Sequence, residues 1–202
     1  KRKSMRKPEK LVIEGEAGAG KTTFACSSHS KKEPVFVINA DDGGEHVFYK
    51  TGIEYIHDCI PTGDVKENAE KWDAMMATLR ELATQKSGIK RIIIDSVDKL
   101  EVLAHGRVCV DHKLTHIEDM GYGKGFSYAT GAMQKLLSGL NYLRDSQGIQ
   151  PILVCHTQVR TINKPTMEPY DSFVLKLHKS LCANVMEWAD VILFVAFETI
   201  VK

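Results

Sequence analysis

The chain has no long hydrophobic segment and almost no net charge. Its longest uninterrupted apolar run, residues 191–197, is much shorter than the roughly 20 residues of a membrane-spanning helix. No apolar segment of signal-peptide length follows the basic residues at the start. We therefore expect a cytoplasmic location and no membrane partner. A formal net charge of +1 excludes a surface that attracts nucleic acid along its whole extent, so contact with a polyanion requires a local basic patch.

Closely spaced cysteine pairs are also missing. The five cysteines form no CxxC pair and their number is odd, which indicates reduced, mostly buried thiols in a cytosolic protein. Hydrophobic residues make up 43% of the 202 residues, enough for the core of one domain. We predict a single domain over residues 10–202 behind a basic tail at 1–9, which is either solvated or an arm that touches phosphates.

Apolar runs alternate with helical periodicity along the chain. Strands are predicted at residues 11–13, 35–40, 91–95, 151–155 and 189–197, and helices at 64–85, from 97 to about 120, and from 126 onward. Residues 121–125 form a glycine-rich break, and residues 157–172 a long loop or hairpin. Strands that are apolar on both faces and alternate with helices indicate an α/β fold with a mostly parallel sheet flanked by helices.

A glycine-rich loop after the first predicted strand fits the pattern G-x-x-x-x-G-K-[ST]. Its glycines let successive N–H groups point at phosphate oxygens, and the following helix adds its own free N–H groups. The lysine would contact the β- and γ-phosphates, and the hydroxyl after it would bind Mg²⁺. The residues predicted to bind a nucleoside triphosphate, most simply Mg²⁺-ATP, are Gly15, Glu16, Ala17, Gly18, Ala19, Gly20, Lys21, Thr22 and Thr23.

A carboxylate that completes the Mg²⁺ shell normally follows an apolar strand beside such a loop. Asp95 ends the run Ile92, Ile93, Ile94 and is the candidate. We therefore predict a metal site formed by Thr22 and Asp95.

The phosphate loop, together with Asp95-Ser96-Val97, resembles the core of RecA-like ATPases. Many ring-forming AAA-type ATPases carry a glutamate directly after the metal-binding aspartate, where this chain has Ser96. RecA-like proteins instead place that acid after the strand that follows the phosphate loop. The resemblance implies that Asp41 positions the attacking water, with Asp42 as the close alternative. The usual residue is glutamate, so the shorter aspartate implies slow hydrolysis, or closure of the site by a neighbouring subunit. Asp-Asp-Gly-Gly is also good turn chemistry.

Over most of its length the chain is similar to phage-encoded RecA-like nucleotide-binding proteins associated with single-strand annealing and recombination. The matching pieces, besides those above, are the Tyr122-Gly123 loop, Cys155-His156 at a strand end and the run at residues 187–190. The resemblance implies a location in the host cytoplasm. It also assigns His156 the sensing of the γ-phosphate. The alternative interpretation is that His156 is only a hydrogen-bonded histidine at the end of a strand.

Several basic residues, with one aromatic residue among them, follow His156 in the sequence. They suit single-stranded DNA, where cations neutralise phosphates and aromatic rings stack on bases; the alternative is an ordinary solvated loop. The candidates are Arg160, Lys164, Tyr170, Lys176 and Lys179.

The residues and the resemblance together predict an ATPase that binds single-stranded DNA in recombination or annealing. The expected partners are further copies of the chain in a filament or ring, because a neighbour usually donates a catalytic cation, and a single-strand-binding or other recombination protein. The alternative is a nucleotide-dependent switch or loader that acts on a protein without touching DNA. A small-molecule kinase would need an arginine-rich lid, and no such stretch stands out.

Overall fold

The computed structural model describes residues 7–85 and 87–198. Residues 1–6 of the predicted basic tail, including its basic residues Lys1, Arg2, Lys3 and Arg6, lie outside this part of the chain. The strands are β1 (Leu11–Gly15), β2 (Val35–Asn39), β3 (Tyr55–Asp58), β4 (Arg91–Asp95), β5 (Gln150–Lys164), β6 (Met167–Leu175) and β7 (Val191–Val195). The α-helices are α1 (Lys21–Cys26), α2 (Glu45–Thr51), α3 (Val65–Thr84), α4 (Val97–His112), α5 (Lys124–Gln147) and α6 (Lys179–Trp188), with a short 3-10 helix at Ile117–Met120.

Six strands form a parallel sheet in the order β3-β2-β4-β5-β1-β7, and β6 pairs antiparallel with the far part of β5. The prediction of an α/β fold with a mostly parallel sheet is therefore confirmed. Because all six parallel strands point the same way, their carboxyl ends and the loops that follow them meet at one edge of the sheet. This edge holds the predicted phosphate loop, Asp95 and His156.

Helices cover both faces of the sheet, as the strand patterning requires. Consecutive strand residues enter opposite cores: Ile92 and Ile94 pack with α3 to α6 on one face, and Ile93 packs with α1 and α2 on the other. This alternation explains why the strands read as continuous apolar runs, since both faces are buried.

The structure departs from the sequence prediction at several boundaries. Helix α4 ends at His112 rather than near Met120, because Lys113 adopts a left-handed conformation with φ 56° and closes the helix. The last strand is shorter than predicted. The sequence prediction also missed three elements, the helices α2 and α6 and the strand β3.

The segment predicted as a loop or hairpin is a hairpin. Strand β5 runs on past the sheet edge for several residues, turns, and returns as β6, with Val159 opposite Phe173 and Ile162 opposite Tyr170. We call these paired residues, 157–175, the hairpin.

The prediction of reduced thiols is confirmed, since all five cysteines are free and buried. Within residues 7–85 and 87–198, no helix combines the length and hydropathy that crossing a bilayer requires.

Candidate active site at the carboxyl edge of the sheet

The phosphate loop connects β1 to α1, and two of its glycines have a steric reason to be glycine. A Cβ atom on Gly15 would overlap the carbonyl oxygen of Val195 on the neighbouring β7. Gly20 precedes α1 with φ 90°, a conformation that side chains disfavour. The loop can therefore turn tightly beside β7 and lead directly into Lys21.

Lys21 is held inside the loop. Only 5% of its surface is exposed, and its Nζ donates a hydrogen bond to the carbonyl oxygen of Glu16 at 2.7 Å. Burial lowers the pKa of Lys21, and the nearby carboxylate of Asp95 partly opposes this. A buried cation in a glycine-rich loop that leads into a helix suits the binding of a polyphosphate.

Asp95 and Thr22 come together across the sheet edge. The Thr22 hydroxyl donates to Asp95 Oδ2 at 2.6 Å, although β5 lies between β1 and β4. Asp95 therefore lies beside the phosphate loop, although its strand is separated from the loop's strand β1 by β5. Burial raises the pKa of Asp95, and the Thr22 hydrogen bond works against that shift. A hydroxyl and a carboxylate oxygen this close form a donor set that suits Mg²⁺.

The two neighbouring aspartates after β2 take different positions. The backbone N–H groups of Ala40 and Asp41 both donate to the carbonyl oxygen of Asp95, at 2.6 and 3.1 Å. These bonds hold the start of the turn against the end of β4 and direct the Asp41 side chain into the cavity beside the phosphate loop. Asp42 is exposed and does not line that cavity.

His156 lies on β5 between two carboxylates. Its Nε2 is 3.7 Å from Asp41 Oδ2, and its Nδ1 is 3.1 Å from Asp98 Oδ2. Asp98, in the first turn of α4, was not predicted from the sequence. An acidic residue in a first helical turn is so common that its position carries no specific signal.

The side chains described above, apart from Asp42 and Asp98, line one cavity of about 410 Å³. Of the residues predicted to take part in catalysis, Lys21, Asp41, Asp95 and His156 line the cavity and Asp42 does not. The remaining lining residues are Ala17, Gly18, Gly20, Thr22, Thr23, Gly43, Gly44 and Val47.

The residues predicted to contact DNA are divided between the fold and solvent. Arg160 is half-buried and its Nη2 donates to the carbonyl oxygen of Leu177 at 2.6 Å, so its guanidinium is partly used within the protein. Lys164 lies over the ring of Tyr170, 5.6 Å from its centroid, on the exposed part of the hairpin. Lys176 and Lys179 are exposed where the hairpin joins α6.

A second buried carboxylate, Glu101, lies one turn after Asp98 on α4. Its two oxygens accept the backbone N–H of His178, at 3.1 and 3.0 Å, just before α6. Burial raises the pKa of Glu101 to about 7, and burial lowers the pKa of His105 to about 4. His105 is therefore neutral near pH 7, and its 3.9 Å approach to Glu101 is not an ion pair there.

Because the pKa of Glu101 is raised, we predict that the free energy of unfolding depends on pH. Between its ordinary pKa of 4.5 and its folded value of about 7, the folded protein keeps a proton that the unfolded chain releases. Stability therefore falls as the pH rises through this window, by up to about 3 kcal/mol. Glu101→Gln cannot ionise and is expected to gain up to this amount relative to the parent across the window. Urea unfolding of both proteins at either end of the window checks this; a difference that stays constant with pH would contradict it.

Comparison with known protein families agrees with this geometry. A family model described as an AAA domain matches residues 7–202. No curated protein matches the chain.

Proposed function

Because the chain belongs to the AAA domain family, a family of the P-loop nucleotide-binding type, we propose that it binds Mg²⁺-ATP in the cavity beside the phosphate loop and hydrolyses it slowly. The observation that carries this proposal is the convergence of Lys21, Asp95, Asp41 and His156 on one cavity from four separate segments of the chain. A phosphate-binding cation, an oxygen pair for a metal and a carboxylate that can orient water are groups that phosphoryl transfer to water uses, and the imidazole adds a group that can contact a phosphate.

In this proposal each group has a separate role. Lys21 neutralises the β- and γ-phosphates, and Thr22 with Asp95 would hold Mg²⁺, which supplies charge stabilisation at the phosphates when bound. Asp41 orients the attacking water and accepts its proton. His156 contacts the γ-phosphate end of the nucleotide, because it lines the cavity next to Asp41.

Slow hydrolysis follows from what the cavity contains. Within the described residues, Lys21 is the only lysine or arginine that lines it. Transition-state charge in such reactions is commonly stabilised by a second cation, often donated by a neighbouring subunit. We therefore include in the proposal an assembly of several copies, as a ring or filament, in which each site is completed by its neighbour.

The hairpin is the part of the fold through which nucleotide binding would act on another molecule. His156 is covalently continuous with the hairpin, and its carbonyl oxygen accepts the N–H of Lys176 at 2.8 Å, where the second strand returns. A shift of His156 on nucleotide binding therefore moves both strands at their base.

We propose single-stranded DNA as the molecule bound by the hairpin, in recombination or strand annealing. The support is the exposed pair of Lys164 and Tyr170 together with Lys176 and Lys179, since a cation beside an aromatic ring suits a phosphate next to a stacked base. The second candidate, a switch acting on a protein partner, is favoured by the opposite side of the hairpin. There Val159 and Phe173 face each other and are 58% and 47% exposed.

A titration of labelled single-stranded DNA, with and without ATP and at two salt concentrations, separates these functions. ATP is expected to strengthen binding, and the log–log salt slope is expected to be steep. Replacing Lys164 and Lys176 together with alanine should flatten that slope by about 0.7 for each DNA phosphate that the variant no longer neutralises, while ATP binding persists.

Lys90→Ala is the matched control, because this exposed lysine precedes β4 at the opposite edge of the sheet and should leave the slope unchanged. If the assembled protein shows no affinity for single-stranded DNA in any nucleotide state at low salt, the DNA proposal fails and the protein-partner switch becomes the better account.

A further inference from the structure

We infer that Asp98 is a positioning residue that fixes the tautomer and orientation of His156, so that Nε2 is the ring atom presented to the nucleotide. This inference rests on the proposed function for the contact between His156 and the γ-phosphate. It adds a residue that the phosphate-loop motif does not contain and that lies outside the cavity lining.

The contacts between Asp98 and His156 involve both the backbone and the ring. Asp98 Oδ1 accepts the backbone N–H of His156 at 3.1 Å, and Nδ1 of the ring lies 3.2 and 3.1 Å from the two carboxylate oxygens. Only 7% of the Asp98 surface is exposed. One buried side chain therefore holds both the strand position and the ring angle of His156.

The ionisation state of Asp98 determines which ring nitrogen carries the proton. Burial alone would raise the pKa of Asp98, but the hydrogen bonds from the ring and the backbone of His156 hold that pKa below its usual value. An ionised carboxylate only accepts hydrogen bonds, so Nδ1 must be the donor. In a neutral His156 ring, Nε2 then carries the free lone pair and faces Asp41.

This arrangement has a consequence for the contact with a phosphate. Nε2 can donate to a phosphate oxygen only when the ring is protonated at both nitrogens, and the anionic Asp98 against Nδ1 balances the charge of that form. An incoming phosphate would balance the positive charge of the protonated ring from the Nε2 side. Asp98 therefore prepares His156 to respond to a γ-phosphate, which ADP lacks.

The position of α4 makes this pairing relevant to the hairpin. Asp98 holds His156, where the hairpin leaves the sheet, and Glu101, one helical turn later, holds His178 just after the hairpin ends. The two buried carboxylates of one helix thus bind the chain at both ends of the hairpin.

Asp98→Asn is the test variant and Glu101→Gln its matched control. Asparagine keeps the shape and can still accept the His156 backbone N–H, but its amide N–H group donates to Nδ1 and moves the ring proton to Nε2. Glutamine at 101 removes a buried carboxylate from the same helix without touching His156. Nitrogen-15 spectra of the His156 ring in the nucleotide-free proteins report the tautomer directly, and equilibrium titrations with ATP and ADP report the preference for ATP.

We expect the Nδ1–H tautomer in the parent and in Glu101→Gln, and the Nε2–H tautomer in Asp98→Asn. We also expect Asp98→Asn to lose up to about tenfold in its preference for ATP over ADP, because its neutral Nε2–H offers the γ-phosphate an uncharged donor in place of a charge-assisted one, while Glu101→Gln keeps the parent preference. A merely structural role for Asp98 would weaken ATP and ADP binding alike.

An Nε2–H tautomer in the parent would overturn the inference, as would an Asp98→Asn protein that keeps the parent tautomer and the parent ATP preference. The parent spectrum decides the tautomer even if Asp98→Asn does not fold. If the parent binds neither nucleotide, the proposed function fails, and the spectrum of the nucleotide-free protein still shows whether Asp98 sets the tautomer of His156.

Discussion

Lys21→Ala is expected to lower ATP turnover by at least about two to three orders of magnitude, the usual effect of removing one preorganised group that stabilises transition-state charge. Lys21 is the only described lysine or arginine lining the cavity, and its Nζ is already held inside the loop by the Glu16 carbonyl. No other lysine or arginine within the described lining can take its place. Phosphate release under saturating ATP measures the effect, with circular dichroism to show that the fold persists.

Lys50→Ala is the control for this measurement, because Lys50 is exposed on α2 and does not line the cavity. It should hydrolyse ATP at the parent rate. A folded Lys21→Ala protein with near-normal turnover would remove the phosphate loop from the mechanism.

Asp41→Asn is expected to keep nucleotide binding and to lose turnover by about two to four orders of magnitude, the range for a positioned general base. Asparagine preserves the shape of the side chain but cannot accept a proton from water. Binding should persist or tighten, since one negative charge leaves the neighbourhood of the γ-phosphate. Single-turnover hydrolysis and equilibrium nucleotide binding, measured on the same preparation, separate the two effects.

The adjacent residue provides the matched control. Asp42→Asn makes the same chemical change one position along the chain, on a side chain that is exposed and outside the cavity lining. It should keep the parent rate. If Asp42→Asn loses turnover while Asp41→Asn keeps it, the general base is Asp42 and the turn rearranges when nucleotide binds.

Much of the fold could be predicted from local patterns. The strands at β1, β2, β4 and the start of β5 are short runs rich in apolar residues, and the stripe along α3 repeats every three or four residues. Run length and composition therefore identify the strands, and the period identifies the helix. Helices α2 and α6 have 7 and 10 residues, too few for a clear period, and β3 is an edge strand with mostly exposed side chains. Long-range packing, rather than local propensity, stabilises such elements.

The end of α4 was mispredicted for a related reason. The residues after His112 continue a plausible helical pattern, but Lys113 takes a left-handed conformation and the chain turns toward the 3-10 helix. There Gly125 packs so closely against Ile117 that a Cβ atom would overlap its carbonyl oxygen. This contact packs the start of α5 against the 3-10 helix, and it joins segments that no single local pattern relates.

By itself, the sequence determined the α/β class and identified the phosphate loop and the metal-site candidates Thr22 and Asp95, because each of these was inferred from a pattern that is local in the chain. Only the tertiary structure decided that Asp41 rather than Asp42 faces the cavity, that Arg160 bonds to Leu177, and that Asp98 holds His156. The physical reason is the strand order: β4 lies between β2 and β5, so the carboxyl ends of three strands meet there. Side chains 58 residues apart, such as Asp98 and His156, become hydrogen-bond partners at this edge, and no local pattern records which of them will meet.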